Sequence, residues 1–185
     1  MMRYPIKVAG LDRELPICRV NDELYIAGFV IFGDVELTVE CAKALNAHVP
    51  DYDYAITAEA KGIPLIHEMT RQSGRNKYIL ARKAPKLYMT KVFAHDVKSI
   101  TTEKEQKLYL DQEDVDLMKG KRILIVDDVI STGASLQALE DLVNDAGGNI
   151  VGKATILAEG NAQGRDDIIF IAPLPTFNPD GTIKE

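Results

Sequence analysis

Ile123-Leu124-Ile125-Val126-Asp127-Asp128-Val129-Ile130-Ser131-Thr132-Gly133-Ala134-Ser135 joins an aliphatic run to a stretch of small residues through two adjacent carboxylates. Unbroken aliphatic character over Arg122 to Val126 predicts a strand buried on both faces, as in parallel sheets covered by helices. Carboxylates at the end of such a strand stand where open α/β sheets bind ligands. An ionised Asp accepts hydrogen bonds from two neighbouring hydroxyls, and a ribose diol offers them. The Ser-Thr-Gly-Ala-Ser run has little bulk, so several backbone N–H groups can converge on one anion at the start of the next helix. A phosphomonoester fits there.

Working outward, Ser131 to Ala146 reads as a helix with Leu136, Leu139, Leu142 and Val143 inward, ended by Gly147 and Gly148. Ile150 to Ala158 and Ile168 to Ile171 supply two more strands, and Pro173, Pro175 and Pro179 mark an irregular tail. Upstream, Asp34 caps a helix running toward His48, with Val35, Val39, Ala42 and Leu45 on one side and Pro50 as its stop. Tyr54 to Ala58 is a strand, Ile63 to Gln72 a helix with Pro64 in its first turn, and Lys77 to Ala81 a further strand. The polar segment Lys86 to Asp111 is long for a connection and is a candidate lid. Residues 1–33 mix short apolar stretches with polar turns and form a small N-terminal hood, leaving 34–185 as the core. The predicted fold class is α/β: a central, mostly parallel sheet flanked by helices.

Composition sets the outer limits. The chain has 185 residues, 46% apolar and 27% charged, which is ordinary for a globular protein and excludes disorder and fibrous structure. Its 22 basic against 28 acidic side chains argue against nonspecific nucleic-acid binding. Apolar runs such as Ile123 to Val126 are far shorter than the ~20 residues a bilayer-spanning helix needs. Cys18 and Cys41 have no metal or disulfide spacing and read as buried thiols in a reducing, cytoplasmic setting. His48, His67 and His95 pair with nothing at catalytic spacing and read as surface or packing residues.

Rival readings of the acidic motif are weaker. A Walker-B site would need a G-x-x-x-x-G-K-[ST] loop, which the chain lacks. A receiver domain would place this strand first, whereas most of the fold precedes it. A mere turn cap leaves the small-residue loop unexplained.

The thirteen residues resemble the phosphoribosyl pyrophosphate signature of type I phosphoribosyltransferases, and the likeness extends from about Asp51 to Arg165. It implies that Asp127 and Asp128 hold the ribose 2′ and 3′ hydroxyls. Ser131, Thr132, Gly133, Ala134 and Ser135 would cradle the 5′-phosphate. Thr57-Ala58-Glu59-Ala60-Lys61-Gly62 is similar to the pyrophosphate loop of adenine-type members, with Lys61 in place of arginine; Ala60, Lys61 and Gly62 would face the leaving group. Ala81-Arg82-Lys83-Ala84-Pro85-Lys86-Leu87 resembles the stretch that opens the family's mobile loop, with Arg82 and Lys83 as clamps on pyrophosphate. That loop carries a glutamate in adenine-type enzymes; Glu103 and Glu105 lie in its neighbourhood.

The resemblance further implies Mg²⁺ bound mainly through substrate, phosphoribosyl pyrophosphate and a purine base as substrates, and a homodimer. Phe29 is a candidate for stacking on the base, and Glu159 for contacting its edge. Where xanthine enzymes have a lysine this chain has Glu159, and a carboxylate acceptor suits an exocyclic amine, which favours adenine. The alternatives are xanthine or another purine, an acceptor that is not a free base, or a non-catalytic sensor of phosphoribosyl pyrophosphate.

Overall fold

The computed structural model describes residues 2–89, 91–97 and 106–184. In chain order its elements are β1 (Arg3–Val8), β2 (Leu11–Arg19), β3 (Tyr25–Ala27), α1 (Val35–Asn46), β4 (Tyr54–Ala58), α2 (Ile63–Gln72), β5 (Ile79–Ala81), β6 (Val92–Val97), β7 (Gln106–Asp111), α3 (Gln112–Met118), β8 (Arg122–Ile130), α4 (Ala134–Asp145), β9 (Asn149–Glu159), β10 (Ile169–Leu174), β11 (Thr176–Phe177) and β12 (Ile183–Lys184). A 3-10 turn, Gly160–Gly164, joins β9 to β10.

Five of these strands form a wholly parallel sheet in the order β10-β9-β8-β4-β5. The chain leaves β4 toward one edge and, after β5, returns to lay β8 on the other side of β4. The direction in which strands are added to the sheet therefore reverses between β4 and β8, and a crevice opens beyond their carboxyl ends. Alternate residues of β8 serve opposite faces. Leu124 and Val126 meet Leu37, Cys41 and Leu45 of α1 and Leu65, Ile66 and Met69 of α2. Ile123 and Ile125 meet Val115 and Met118 of α3 and Leu136, Leu139, Leu142 and Val143 of α4. Each such aliphatic side chain taken from water contributes about 1.5–3 kcal/mol. Among the described residues no helix is long and apolar enough to cross a membrane.

The hood is an antiparallel sheet, β1-β2-β3-β11-β12. Ala9 and Gly10 both take positive φ, 49° and 85°, in the two-residue turn between β1 and β2, as a twisted hairpin favours. Arg13 of β2 ties this sheet to the core: its guanidinium donates to both oxygens of Asp34, at 2.7 and 3.1 Å, while Asp34 Oδ1 also accepts the Leu37 N–H that caps α1.

Several elements differ from the sequence reading. The inward face of α1 is Leu37, Thr38, Cys41, Ala42 and Leu45, while Val35 is 73% exposed. Thr38 tolerates burial because its hydroxyl donates to Asp34 O at 2.7 Å. The tail is not irregular: β11 pairs with β3 and so closes the hood. The polar segment 86–111 contains the β6–β7 hairpin, whose Leu108 and Leu110 are buried in the core, and a helix, α3, follows directly. Cys18 is exposed at the hood; only Cys41 is buried, its thiol pushed up to about 12 by desolvation.

Candidate active site

Strand β8 runs on through the acid pair, because Asp127 and Val129 keep the parallel ladder with Thr155 and Leu157 of β9. Both carboxylates therefore sit on rigid backbone at the mouth of the crevice. Asp128 is 4% exposed and its N–H donates to Asp127 Oδ1 at 2.9 Å. Asp127 is held up at about 7 by burial and by the neighbouring charge of Asp128. Past Ile130 the chain makes an open bend through Ser131 and Thr132, and Gly133 enters α4 in the left-handed conformation at φ 83°. Helix α4 thus begins at Ala134. The run Ser131 to Ser135, together with Asp127, lines a cavity of about 110 Å³ at the helix N-terminus. Helix amides without intrahelical partners point into such a space.

A second loop, Glu59 to Gly62, leaves β4 and enters α2 directly opposite. Gly62 is required by contact: a Cβ there would stand 2.2 Å from Thr57 Oγ1 and 3.6 Å from Asp127 Cα. Lys61, next to it, reaches over the acid pair, its Nζ 3.1 Å from Asp128 Oδ2 and 3.5 Å from the carbonyl of Phe29. The ammonium lies off the hydrogen-bonding direction, so buried Asp128 Oδ2 has no hydrogen-bond donor among the described residues. Ala60 is exposed at the tip.

Arg82 and Lys83 arrive from the end of β5. Arg82 pairs its backbone with Tyr109 of β7, at 2.9 Å in both directions, so the hairpin is stitched to the sheet at the residue expected to clamp an anion. Glu59 links the two loops: it accepts the Lys83 N–H at 3.1 Å and faces Arg82 Nη2 at 3.4 Å. The Lys83 amide and the nearby cations hold its carboxyl below the usual range. Arg82 Nε is buried without a partner among the described residues.

The two base-side candidates fare differently. Glu159, at the end of β9, is 7% exposed; burial raises its pKa while a hydrogen bond from Ser131 and the charge of Lys61 oppose the rise. It thus sits beside the Ser131–Ser135 loop as well as near Lys61. Phe29 is 5% exposed with its ring in the hydrophobic core, and what it turns toward Lys61 is its carbonyl. The ring offers no free face for stacking. Glu103 and Glu105 lie outside the described residues.

Sequence reasoning missed Thr57, which sets the packing of Gly62, the bridging role of Glu59, and Arg165, whose Nη1 would stand 2.8 Å from a Cβ on Gly133. None carries a local signal, since each acts on a residue brought near only by the fold.

The chain is similar to known proteins. A family model described as "Phosphoribosyl transferase domain" matches residues 56–173. An adenine phosphoribosyltransferase from Rubrobacter xylanophilus is 30% identical over 150 residues, covering 76% of this chain and 77% of its own length. Xanthine phosphoribosyltransferase 1 from Clostridium perfringens is 31% identical over 114 residues, 61% of this chain and 59% of its own length. The crystal structure of adenine phosphoribosyltransferase from Saccharomyces cerevisiae, complexed with an imino-altritol bisphosphate and adenine, superposes with a TM-score of 0.69 at 20% identity, covering 85% of this chain and 92% of that one.

Proposed function

Because the chain belongs to the phosphoribosyltransferase family, we propose that it transfers 5-phosphoribosyl from phosphoribosyl pyrophosphate to a purine, adenine in the first place, giving AMP and pyrophosphate. The observation that carries this reading is the meeting of two anion-ready loops over one acid pair. Lys61 stands 3.1 Å from Asp128, and Gly62 packs against the backbone of Asp127, whose side chain lines the Ser131–Ser135 cavity. A sugar with a diol between a phosphomonoester and a pyrophosphate matches that order of groups.

A ring nitrogen of the base forms the new bond to C1′ while the C1′–O bond to pyrophosphate breaks. C1′ acquires oxocarbenium character, so the protein's task is positioning and charge stabilisation. Asp127 and Asp128 accept the ribose hydroxyls. The amides of Ser131 to Ser135 bind the 5′-phosphate. Ala60, Lys61 and Gly62 face the leaving pyrophosphate, and Arg82 and Lys83 add charge beside it. The acid pair also fits Mg²⁺: it offers hard oxygen ligands, and Asp128 Oδ2 is buried without a donor. Mg²⁺ would be held by these carboxylates with the substrate's own oxygens, and it supplies neutralisation of the charge that grows on pyrophosphate.

Adenine is favoured by Glu159, a carboxyl acceptor for an exocyclic amine, and by the Rubrobacter relative. Xanthine is the second reading, favoured by the Clostridium relative. A homodimer is part of the proposal: Val30, Phe32 and Val35 are 60%, 50% and 73% exposed, and Val35 borders an apolar groove of about 330 Å³ between α1 and α2. The hood, residues 1–33 with the strands it recruits from the C-terminus, caps the base side in this reading. The free thiols of Cys18 and Cys41 suit the reducing cytoplasm. Asp127→Asn tests the site: phosphoribosyl pyrophosphate binding, measured by calorimetry, should weaken while the folded state persists. Unchanged affinity would overturn the assignment of the acid pair.

A further inference from the structure

We propose that Arg165 is a positioning residue of the 5′-phosphate site, holding the anion-binding loop in shape and supplying the positive charge that the loop lacks. The inference rests on the function proposed above.

Arg165 follows the 3-10 turn and is clamped by Asp167, Nε to Oδ1 at 2.8 Å and Nη2 to Oδ2 at 2.7 Å. Asp167 is itself fixed by Lys153 of β9 at 2.5 Å, and Lys153 by Glu140 of α4 at 3.0 Å. This chain ties β9, α4 and the turn into one unit and leaves the guanidinium one free edge. Nη1, without a hydrogen bond among the described residues, lies against Gly133, where a Cβ would come within 2.8 Å. Only glycine admits both the left-handed φ of 83° and that approach.

Asp167 pairs the guanidinium and so holds its charge at the start of α4 before any ligand binds. The positive end of the helix dipole opposes a cation at the start of α4. None of the residues Ser131 to Ser135 carries a charge, and Asp127, lining the same cavity, disfavours a phosphate. A phosphate dianion in the cavity offsets the opposition between helix end and cation, since it is drawn at once to the helix amides and to Arg165, whose charge also counters the repulsion from Asp127. The bidentate clamp holds the guanidinium there in advance, so little side-chain entropy is lost on binding.

The test is calorimetric binding of ribose 5-phosphate to the full chain. Arg165→Gln and Arg165→Met should each weaken affinity about tenfold, and Arg165→Lys, which keeps the charge, should recover most of the loss. Wild-type affinity should fall more steeply with added salt than that of Arg165→Gln, a difference that loosened packing alone does not produce. Wild-type binding with Arg165→Gln unchanged overturns the inference and leaves the proposed function standing. Equal losses in all three variants, with parallel salt dependence, overturn it in favour of a packing role. Failure of the wild type to bind ribose 5-phosphate overturns the proposed function and the inference together.

Discussion

Gly62→Ala isolates the contact on which the two loops depend. The new methyl group would sit 2.2 Å from Thr57 Oγ1 and 3.3 Å from Thr57 Cβ, about 1.2 Å inside an ordinary van der Waals separation for the nearer pair. Thr57 cannot swing aside: it is fully buried, on β4, and its β-branched side chain is stiff about χ1. The loop must therefore move by roughly 1 Å away from Thr57, and a displacement of that size at a reacting centre costs about 100-fold in turnover. Overpacking of this kind costs about 1–3 kcal/mol of stability, a fall of roughly 2–12 °C in Tm for a chain of this size. Thr57→Ala removes the 2.2 Å contact and leaves a Cβ–Cβ distance that a shift of a few tenths of an ångström relieves. The double variant should recover most of the lost kcat/KM, with a coupling of about 1–3 kcal/mol of opposite sign to the single losses. Steady-state pyrophosphate release and thermal melts on the four proteins measure the cycle. Full activity in Gly62→Ala, or strictly additive losses in the double variant, would refute the reasoning.

Other consequences follow from titration and capping. Asp127 has its carboxyl raised from 3.8 to about 7, so the folded protein holds an extra proton between those values. That group contributes stability below about pH 4 which is lost as pH rises through 7. Asp127→Asn should therefore be more stable than the wild type at pH 8 and little different at pH 4, as read by urea denaturation at each pH. The same ionisation makes phosphoribosyl pyrophosphate binding weaken as pH falls below 7, by about tenfold per unit once the carboxyl is mostly protonated; a flat profile would contradict it. Asp34→Ala removes the cap of α1 and the anchor of Arg13, and should cost about 1 kcal/mol or more in a melt while leaving kcat near its original value.

What the sequence made legible is what lies close along the chain. Helix α2 has the predicted limits, Ile63 to Gln72, because Pro64 and the Ser73–Gly74 exit punctuate it locally. The acid pair and the small-residue loop Ser131 to Ser135 were readable because one strand-to-helix turn carries them all. Strand β8 runs beyond its predicted end at Val126, since polarity marks Asp127 as an end while the backbone ladder with β9 continues to Ile130. The β6–β7 hairpin was hidden because the inward alternation of Leu108 and Leu110 is too short a period to stand out in a polar segment. Strand β11 depends on a pairing between the two ends of the chain, Cys18 lies on a hood strand paired with β3, and Phe29 is buried by packing that no local pattern announces. Glu59 with Lys83, Thr57 with Gly62 and Arg165 with Gly133 are likewise contacts of the folded state alone.

Pyrophosphate release from phosphoribosyl pyrophosphate with Mg²⁺, scanned against adenine, xanthine, guanine, hypoxanthine and orotate, tests the proposed function most directly. The account predicts release that depends on adenine. Release with xanthine alone would contradict the reading of Glu159, and tight phosphoribosyl pyrophosphate binding without release on any base would contradict catalysis itself and identify a sensor.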